Sequence, residues 1–446
     1  MSIFTPSPGV KIAHTKRTGS LRPVRIHECC ETVTLLMKQH TGAACVPCVK
    51  PGDRVDRGQV VGDTETDLAA PVHASVSGMV RRVESRRLPS GEDVRAVVIE
   101  SDGEMRPFPG LAPPRVESAA EFFAAVRRSG LVGLGGGGFP AHAKLRSAAG
   151  KAEILLVNGA ECEPCVTADH REMLDAAPDV IEGIRHICRW LGIPKAIIGI
   201  ERNKPDAIAL LKTLCAREST SELALEVHAV PSRYPQGSNK QLSYSLTGRV
   251  VPLGGRLTEA GLVMSNVTST AFLGRYMRTG IPLISRTVTV EGGAVRTPSN
   301  VRVPLGIGLR ELADFCGGLT SAPVRIVLGG PMMGAAHPGL DTPICKCDNA
   351  LLLLTKEEAE LPPETACIRC GACVNACPMR LPPCELEAAY RAGDAALLEK
   401  RDVAACLECG CCAYVCPAKR DLVTRIRLGK DLVKDEIEKR KGAAKA

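Results

Sequence analysis

The sequence predicts a multidomain α/β protein, with a small β module at its N-terminal side and a helical, cysteine-rich section at its C-terminal side. Three observations carry that expectation. From about residue 117 to 230, strand-like runs alternate with helical periodicity, the pattern of a parallel sheet with crossover helices. From 41 to 82, short β-like runs are separated by Gly and Pro turns. A Cys-x2-Cys-x2-Cys-x3-Cys-Pro pattern occurs twice after residue 360. With 446 residues, 45% of them apolar, the chain has length and core material for roughly two to four domains.

In chain order, the runs Val49 to Asp53, Gly58 to Gly62 and Ala70 to Gly78 read as strands of one β module, placed at 1 to 110. It resembles the barrel-sandwich hammerhead of biotinyl and lipoyl carrier domains, in which a modified lysine sits on an exposed hairpin. Residues 59 to 80 contain no lysine, so the module is expected to brace or dock rather than to carry a swinging arm. A join rich in proline (Pro107, Pro109, Pro113, Pro114) precedes Glu117 to Ser129, where Phe122, Phe123 and Val126 recur at helical spacing. A second domain, 115 to 285, is expected from strands at Glu153 to Val157, Ala196 to Ile200 and Leu225 to Val230, with helices at Ala177 to Leu191 and Pro205 to Ala216. Shorter β-like runs at Thr287 to Glu291 and Arg325 to Leu328, around a helix at Leu309 to Phe315, suggest a compact α+β insert at 286 to 335. A helical section from 360 to 430 follows, then a charged tail at 431 to 446 that reads as a solvated helix end.

Charge and composition exclude some functions. The net charge is +8 and there are only 13 aromatic residues, too few to stack on bases, so no nucleic-acid partner is expected. The surplus of positive charge suits an acidic protein partner or the anionic face of a membrane. No apolar stretch approaches the eighteen or so residues of a bilayer span, and Met1 to Val10 lacks a signal pattern. A cytoplasmic chain, peripheral on the membrane through partners, is expected.

The cysteines decide the chemistry. Ten of the 21 lie between Cys367 and Cys416, in a chain with no secretory signal to support a disulfide framework. Cys367-x2-Cys370-x2-Cys373-x3-Cys377-Pro378 is repeated as Cys406-x2-Cys409-x2-Cys412-x3-Cys416-Pro417. Thiolates at such spacing reach three corners of one cubane, and the fourth cysteine is carried onward to the other cluster. One 4Fe-4S cluster is therefore assigned to Cys367, Cys370, Cys373 and Cys416, and a second to Cys406, Cys409, Cys412 and Cys377. Zinc also suits four thiolates, but zinc ribbons do not usually follow each run with Cys-Pro. Cys384 and Cys411 stand outside the repeat and read as small buried side chains. Outside this section, Cys29-Cys30, Cys45-x2-Cys48, Cys165 and Cys345-x-Cys347 read either as packing or as a further thiol redox or metal centre.

Gly130 to Gly138 holds six glycines in nine positions, followed by Phe139-Pro140 and Lys144. So few side chains let backbone N–H groups approach a phosphate, with Lys144 adding charge. A flexible structural loop has the same composition, and the pattern is neither a Walker loop nor clearly a Rossmann fingerprint. After the strand ending at Val157 comes the polar turn Asn158-Gly159-Ala160-Glu161-Cys162-Glu163-Pro164, at a strand's carboxyl end, where open α/β sheets bind ligands.

Loop and turn together resemble the flavin-bearing 51-kDa subunits of respiratory complex I, whose matching motifs are Gly-Arg-Gly-Gly-Ala-Gly-Phe-Pro and Asn-Ala-Asp-Glu-Gly-Glu-Pro. The resemblance is closer to the C subunit of the Rnf electron-transport complex. It extends through Tyr234 to Gly237, Leu246 to Arg249, Gly329 to Gly334 and the paired cysteine runs, covering about residues 35 to 430. The resemblance implies that Gly133, Gly135, Gly136, Gly138 and Lys144 line FMN and its phosphate, and that Asn266 and Thr268 contact the flavin. It implies that Asn158, Glu161 and Glu163 face flavin and nicotinamide, with Glu161 and Glu163 as the catalytic pair, and that 286 to 335 is a soluble-ligand-binding β-grasp domain. Ala160 stands where complex I has aspartate. The implied protein passes electrons between NAD(H), FMN and two 4Fe-4S clusters, as the C subunit of an ion-translocating complex whose partners are ferredoxin and the other Rnf-type subunits. A soluble relative delivering NADH electrons to a reductase such as proline reductase has the same motifs, and so has a scaffold subunit that holds clusters without an active flavin.

Overall fold

The computed structural model describes residues 9–12, 16, 24–28, 30–88 and 91–443. The N-terminal module is two small antiparallel sheets. In one, Thr32–Leu36, Asp93–Ser101, Gly78–Arg87 and Arg54–Val55 lie side by side. In the other, Val46–Pro47 pairs with Val60–Asp63, and that strand with Val72–His73. Val33, Val61, Val80, Val97 and Ile99 close the core between them, as alternating strands with one buried face require.

The second domain carries the site. Its parallel sheet has the order Ala224–Val230, Lys195–Glu201, Ile154–Gly159, Leu262–Asn266. From Ile154–Gly159 the chain builds two strands outward on one side, then returns to place Leu262–Asn266 on the other. The crevice beyond the carboxyl ends of those two neighbours is thus a topological switch point. Register pairs Asn266 with Asn158 there. Helix Ala177–Leu191 shows Val180, Ile184, Ile187 and Leu191 on its buried face and ends at Gly192, whose left-handed backbone (φ 69°) stops it. It crosses Val267–Thr279 where Gly183 and Gly274 face the partner helix. A Cβ on either would run into the backbone of Thr270 or Asp179, so the two glycines set the close approach.

The third sheet is mixed, in the order Arg25–Ile26, Ser299–Pro304, Ser285–Glu291, Ala350–Leu354, Arg325–Leu328, Ala335–His337. It draws in two strands from outside the expected span of 286 to 335. Ala350–Leu354, an apolar run just after Asp348-Asn349, lies parallel to Ser285–Glu291 and antiparallel to Arg325–Leu328.

The C-terminal section has a core of its own, including Leu386, Leu398, Val403, Leu422, Ile426 and Val433. Its last helix, Leu422–Ala443, runs unbroken through the expected boundary at 430. A second apolar cluster joins this section to the α/β domain: Cys162 and Tyr234 from one side, Ala376, Cys409 and Cys411 from the other, with Val10 and Ile12 of the N-terminal segment.

Candidate active site and cysteine centre

The glycine loop folds back on itself, Gly133 N–H donating to Phe139 O (2.9 Å) and Gly138 N–H to Gly133 O (3.1 Å). The N–H groups of Gly135, Gly136 and Gly137 find no acceptor among the described residues. A Cβ added at Gly136 or Gly137 would meet nothing within 4 Å, so this face is open, whereas at Gly135 it would press on the Asn266 amide at 3.0 Å. Lys144 follows the loop in the chain, half-buried on helix Ala141–Ala148. It has no carboxylate partner among the described residues, and burial lowers its pKa. Unsatisfied N–H groups and an uncompensated cation fit a phosphate.

The back of the loop is clamped by residues the sequence did not single out. Lys346, wholly buried, donates through Nζ to Gly130 O (2.8 Å) and to Pro71 O of the N-terminal module (2.6 Å). Its burial lowers the ammonium pKa to about 8. Arg286 donates to Leu134 O (3.3 Å) and to Lys346 O. Ser269 Oγ accepts from Leu134 N–H (2.9 Å). These contacts join residues 60 to 275 positions apart, beyond the reach of any local pattern. The one local signal is an arginine among the buried positions of strand Ser285–Glu291.

In the acidic turn, Asn158 is a pin: Nδ2 donates to Gly237 O (2.8 Å) and Oδ1 accepts from Ala160 N–H (3.0 Å). Glu161 turns to the start of helix Ala168–Asp175, its carboxylate accepting from Asp169 N–H (2.8 Å) and His170 N–H (3.4 Å), with Lys16 Nζ at 3.7 Å. Glu163 is different. Oε2 accepts from Met332 N–H (3.1 Å), Oε1 is buried with no hydrogen bond of ordinary geometry although the Tyr234 hydroxyl lies against the carboxylate, and burial pushes its pKa up to about 7. Asn266 and Thr268, expected as flavin contacts, both bond Asp169: Nδ2 to Oδ2 at 2.7 Å, Oγ1 to Oδ1 at 2.6 Å. Burial first, and the Glu161 charge next, raise Asp169 to about 6. Its position in a helix's first turn was the available signal, and that reads equally as dipole stabilisation. The structure thus brings Gly135, Asn266, Thr268, Asp169 and Glu161 into one contiguous network at the switch point.

The two cysteine runs share one backbone geometry. Arg369 and Glu408, both two residues after the first cysteine of a run, have φ of 55°, and their N–H groups donate to Cys367 Sγ and Cys406 Sγ at 3.4 Å each. Gly371 and Gly410, both left-handed, then start the short helices Ala372–Ala376 and Cys411–Tyr414. One cavity is lined by Cys406, Cys409, Cys411 and Cys412 together with Cys377 from the other run. Cys377, Cys406, Cys409 and Cys412 among them are the four expected to hold one crossed-over cluster, and thiols grouped around one cavity fit that chemistry. Among the described residues no three His, Cys, Asp or Glu side chains come together for a single metal ion. A cubane spreads its ligands over four irons. Of the other set, Cys367 and Cys370 are exposed, Cys373 half-buried and Cys416 buried.

The remaining cysteines read differently from the expectation of a further centre. Cys29 lies outside the described residues. Cys45 Sγ lies 3.4 Å from Ala70 O and Cys48 Sγ 3.5 Å from Val60 O, separate carbonyls, and burial raises both thiols, Cys45 to about 11. Neither is poised as a thiolate. Cys345 and Cys347 are likewise raised by burial. Cys384, placed outside the repeat, lies against Cys373, and Cys411 is buried with its Sγ 3.8 Å from Tyr234 O.

Comparison with known proteins agrees with this division of the chain. Residues 4–104 match the RnfC barrel sandwich hybrid domain, 126–274 the Nuo51 FMN-binding domain, and 287–336 the SLBB domain. The chain is 39% identical over 379 residues to the C subunit of the proton-translocating ferredoxin:NAD(+) oxidoreductase complex of Clostridium ljungdahlii, spanning 84% of this chain and 82% of that one. It is 39% identical over 429 residues, 95% of each chain, to the C subunit of the Na(+)-translocating ferredoxin:NAD(+) oxidoreductase complex of Acetobacterium woodii. In fold it is similar to a chain of an NAD+-reducing [NiFe]-hydrogenase in the air-oxidized state (TM-score 0.52, 19% identity, 71% of this chain and 63% of that one). With such identity along nearly its whole length, the chain belongs to the family of C subunits of Rnf-type ferredoxin:NAD(+) oxidoreductase complexes.

Proposed function

We propose that the chain is the NAD(H)-linked electron-transfer subunit of an ion-translocating complex, holding FMN at the sheet's switch point and two 4Fe-4S clusters in the C-terminal section. The observation that carries this reading is the shared cluster of Cys162, Tyr234, Cys409 and Cys411, which packs the acidic turn and one cysteine set directly against each other. Gly135 to Gly137 and Lys144 hold the flavin phosphate. Asn266, Thr268 and Asp169 orient the ring side, and Glu163 supplies the unpaired acceptor facing the bound nucleotide. FMN held there would supply hydride acceptance and single-electron release, chemistry that belongs to the cofactor. The protein's part is to hold donors and acceptors in place and to keep the junction dry. Lys346 and Arg286 fix the loop from behind. Cys377, Cys406, Cys409 and Cys412 form the set nearer the flavin domain, and Cys367, Cys370, Cys373 and Cys416 the set nearer solvent.

No helix among the described residues is long and apolar enough to cross a membrane. Membrane association then runs through other subunits of the complex, with ferredoxin acting through them. The test is spectroscopic. Purified, reconstituted chain should bind FMN non-covalently, carry about eight iron atoms for two cubanes, and lose flavin absorbance on addition of NADH. A chain that binds clusters but no flavin is a scaffold and refutes the reading. Capture of a soluble reductase in place of membrane subunits in a pull-down would move the same chemistry to the other partner.

A further inference from the structure

We propose that the chain binds a small oxyanion, a phosphate or carboxylate group, in the cavity where the β module, the α/β domain and the third sheet meet. The cavity is about 240 Å³ in volume. None of Gly135 to Gly138, Lys144, Asn158 or Glu163 lines it, so it lies behind the open face of the glycine loop, sharing Leu134 and Thr268 with the flavin side. Its walls carry four guanidinium groups, Arg57, Arg275, Arg286 and Arg302, against two carboxylates, Glu28 and Glu172.

Most of those charges are already committed. Glu172 accepts from Arg275 at 2.7 Å and Arg302 at 3.4 Å. Arg286 is spent on the carbonyls of Leu134 and Lys346. Glu28 is exposed at the rim. His27 Nε2 faces Glu311 Oε1 at 3.4 Å, which leaves two donors over. Arg57 is anchored only by its backbone, N–H to Arg106 O at 2.9 Å and O from Phe108 N–H at 3.0 Å. Its side chain has no hydrogen bond or ion pair among the described residues, and its Nε is buried without an acceptor. Thr287, 4% exposed, has a buried Oγ1 with no partner.

A buried guanidinium nitrogen and a buried hydroxyl left unpaired each cost free energy that the fold does not recover internally. Both line one cavity, and the charge around them is positive, which selects an acceptor with negative charge. A guanidinium fork matches the two oxygens of a carboxylate or phosphate better than it matches water. The volume falls below the roughly 300–1,000 Å³ of pockets for larger ligands. Inorganic phosphate or a short carboxylate fits, and a nucleotide does not. Because Leu134 and Arg286 belong to both this cavity and the base of the glycine loop, an anion here braces the loop as well as the junction of the three domains.

The experiment uses the full chain saturated with FMN, so that the glycine loop is occupied. Inorganic phosphate and, separately, malonate are titrated at constant ionic strength and followed by calorimetry and melting temperature. A saturable response to either supports the site, phosphate alone marking a phosphoryl ligand and malonate a carboxylate. Arg57→Gln should weaken the response about tenfold, the effect of one charged hydrogen bond. Thr287→Val should weaken it less, and carries the test if the arginine variant does not fold. Bound FMN, followed by its absorbance, should stay in place throughout the titration. No saturable response to either ion, an Arg57→Gln variant that binds like the unaltered chain, or release of bound FMN as the ion is added overturns the proposal, the last by assigning the anion to the glycine loop.

Discussion

Glu163 holds its charge at a cost that pH should reveal. Its pKa of about 7 against an ordinary value near 4.5 means the folded protein binds more protons than the unfolded chain between those limits. Stability contributed by the protonated form is therefore full below about pH 4.5, falls as pH rises toward 7, and is level above. Glu163→Gln keeps an acceptor for Met332 N–H and removes the charge. It should melt with the unaltered protein near pH 4.5 and above it at pH 8, by on the order of 1–3 kcal/mol. Melts of apo protein across that range check this, and a difference that does not change with pH would show that Oε1 has a donor. The turn holding Glu163 was legible because a strand end and a polar run adjoin in sequence. Asp169, Arg286 and Lys346 were not, since each owes its role to partners brought in from distant parts of the chain, and a buried charge looks in sequence like any exposed one.

For elements, the glycine loop separates two kinds of glycine. Gly136 has φ of 100° and open space beyond its Cα, whereas Gly138 has φ of 58° and a Cβ there would lie 2.8 Å from Cys347 Sγ. Gly136→Val should strain the backbone by about 1 kcal/mol and fill the space that the phosphate needs, abolishing flavin binding in a chain that still folds. Gly138→Ala should lower the melting temperature further, because backbone strain and a clash with the clamp add together. Flavin absorbance read beside thermal melts distinguishes the two, and full flavin in Gly136→Val would place the phosphate elsewhere. The cysteine repeat makes an equally sharp division. Cys377→Ser should damage the cluster of Cys406, Cys409 and Cys412, whose cavity it shares, and leave the other set, as iron content and EPR of the separate clusters can show. Loss of the Cys367 set alone would reverse the crossover. The repeat was legible to the residue because its ligand spacing is covalent arithmetic. Helix Ala177–Leu191 was legible because Pro178, four aliphatics at helical spacing and Gly192 agree. Ala350–Leu354 was not, because five apolar residues carry no period to distinguish strand from helix, and the pairing with Ser285–Glu291 is set about sixty residues away.

Across the whole molecule, the site is built at junctions: Lys346 ties the N-terminal module to the glycine loop, and Tyr234 with Cys409 ties the loop's domain to the cysteine section. Domain order was legible from composition, but these ties were not, since interdomain packing leaves no mark on local pattern. The same layout fixes which end meets a partner. Cys409 is buried against the α/β domain, whereas Cys367 and Cys370 are exposed, as is Ile368 between them in sequence, which is 69% exposed. Ile368 is thus the apolar residue placed to meet a partner that takes electrons at this loop. Ile368→Asp should therefore leave cluster content and NADH bleaching of the flavin unchanged, while slowing electron exchange with the assembled complex by about tenfold or more, the effect of placing a charge at the centre of a contact. Val324→Asp, on an equally exposed residue of the third sheet's side (63%), should change neither step. Stopped-flow reduction measured with and without the other subunits resolves the two steps. If Ile368→Asp exchanges electrons at the original rate, the partner meets the chain at another surface, and the exposed cysteine loop is not the exit.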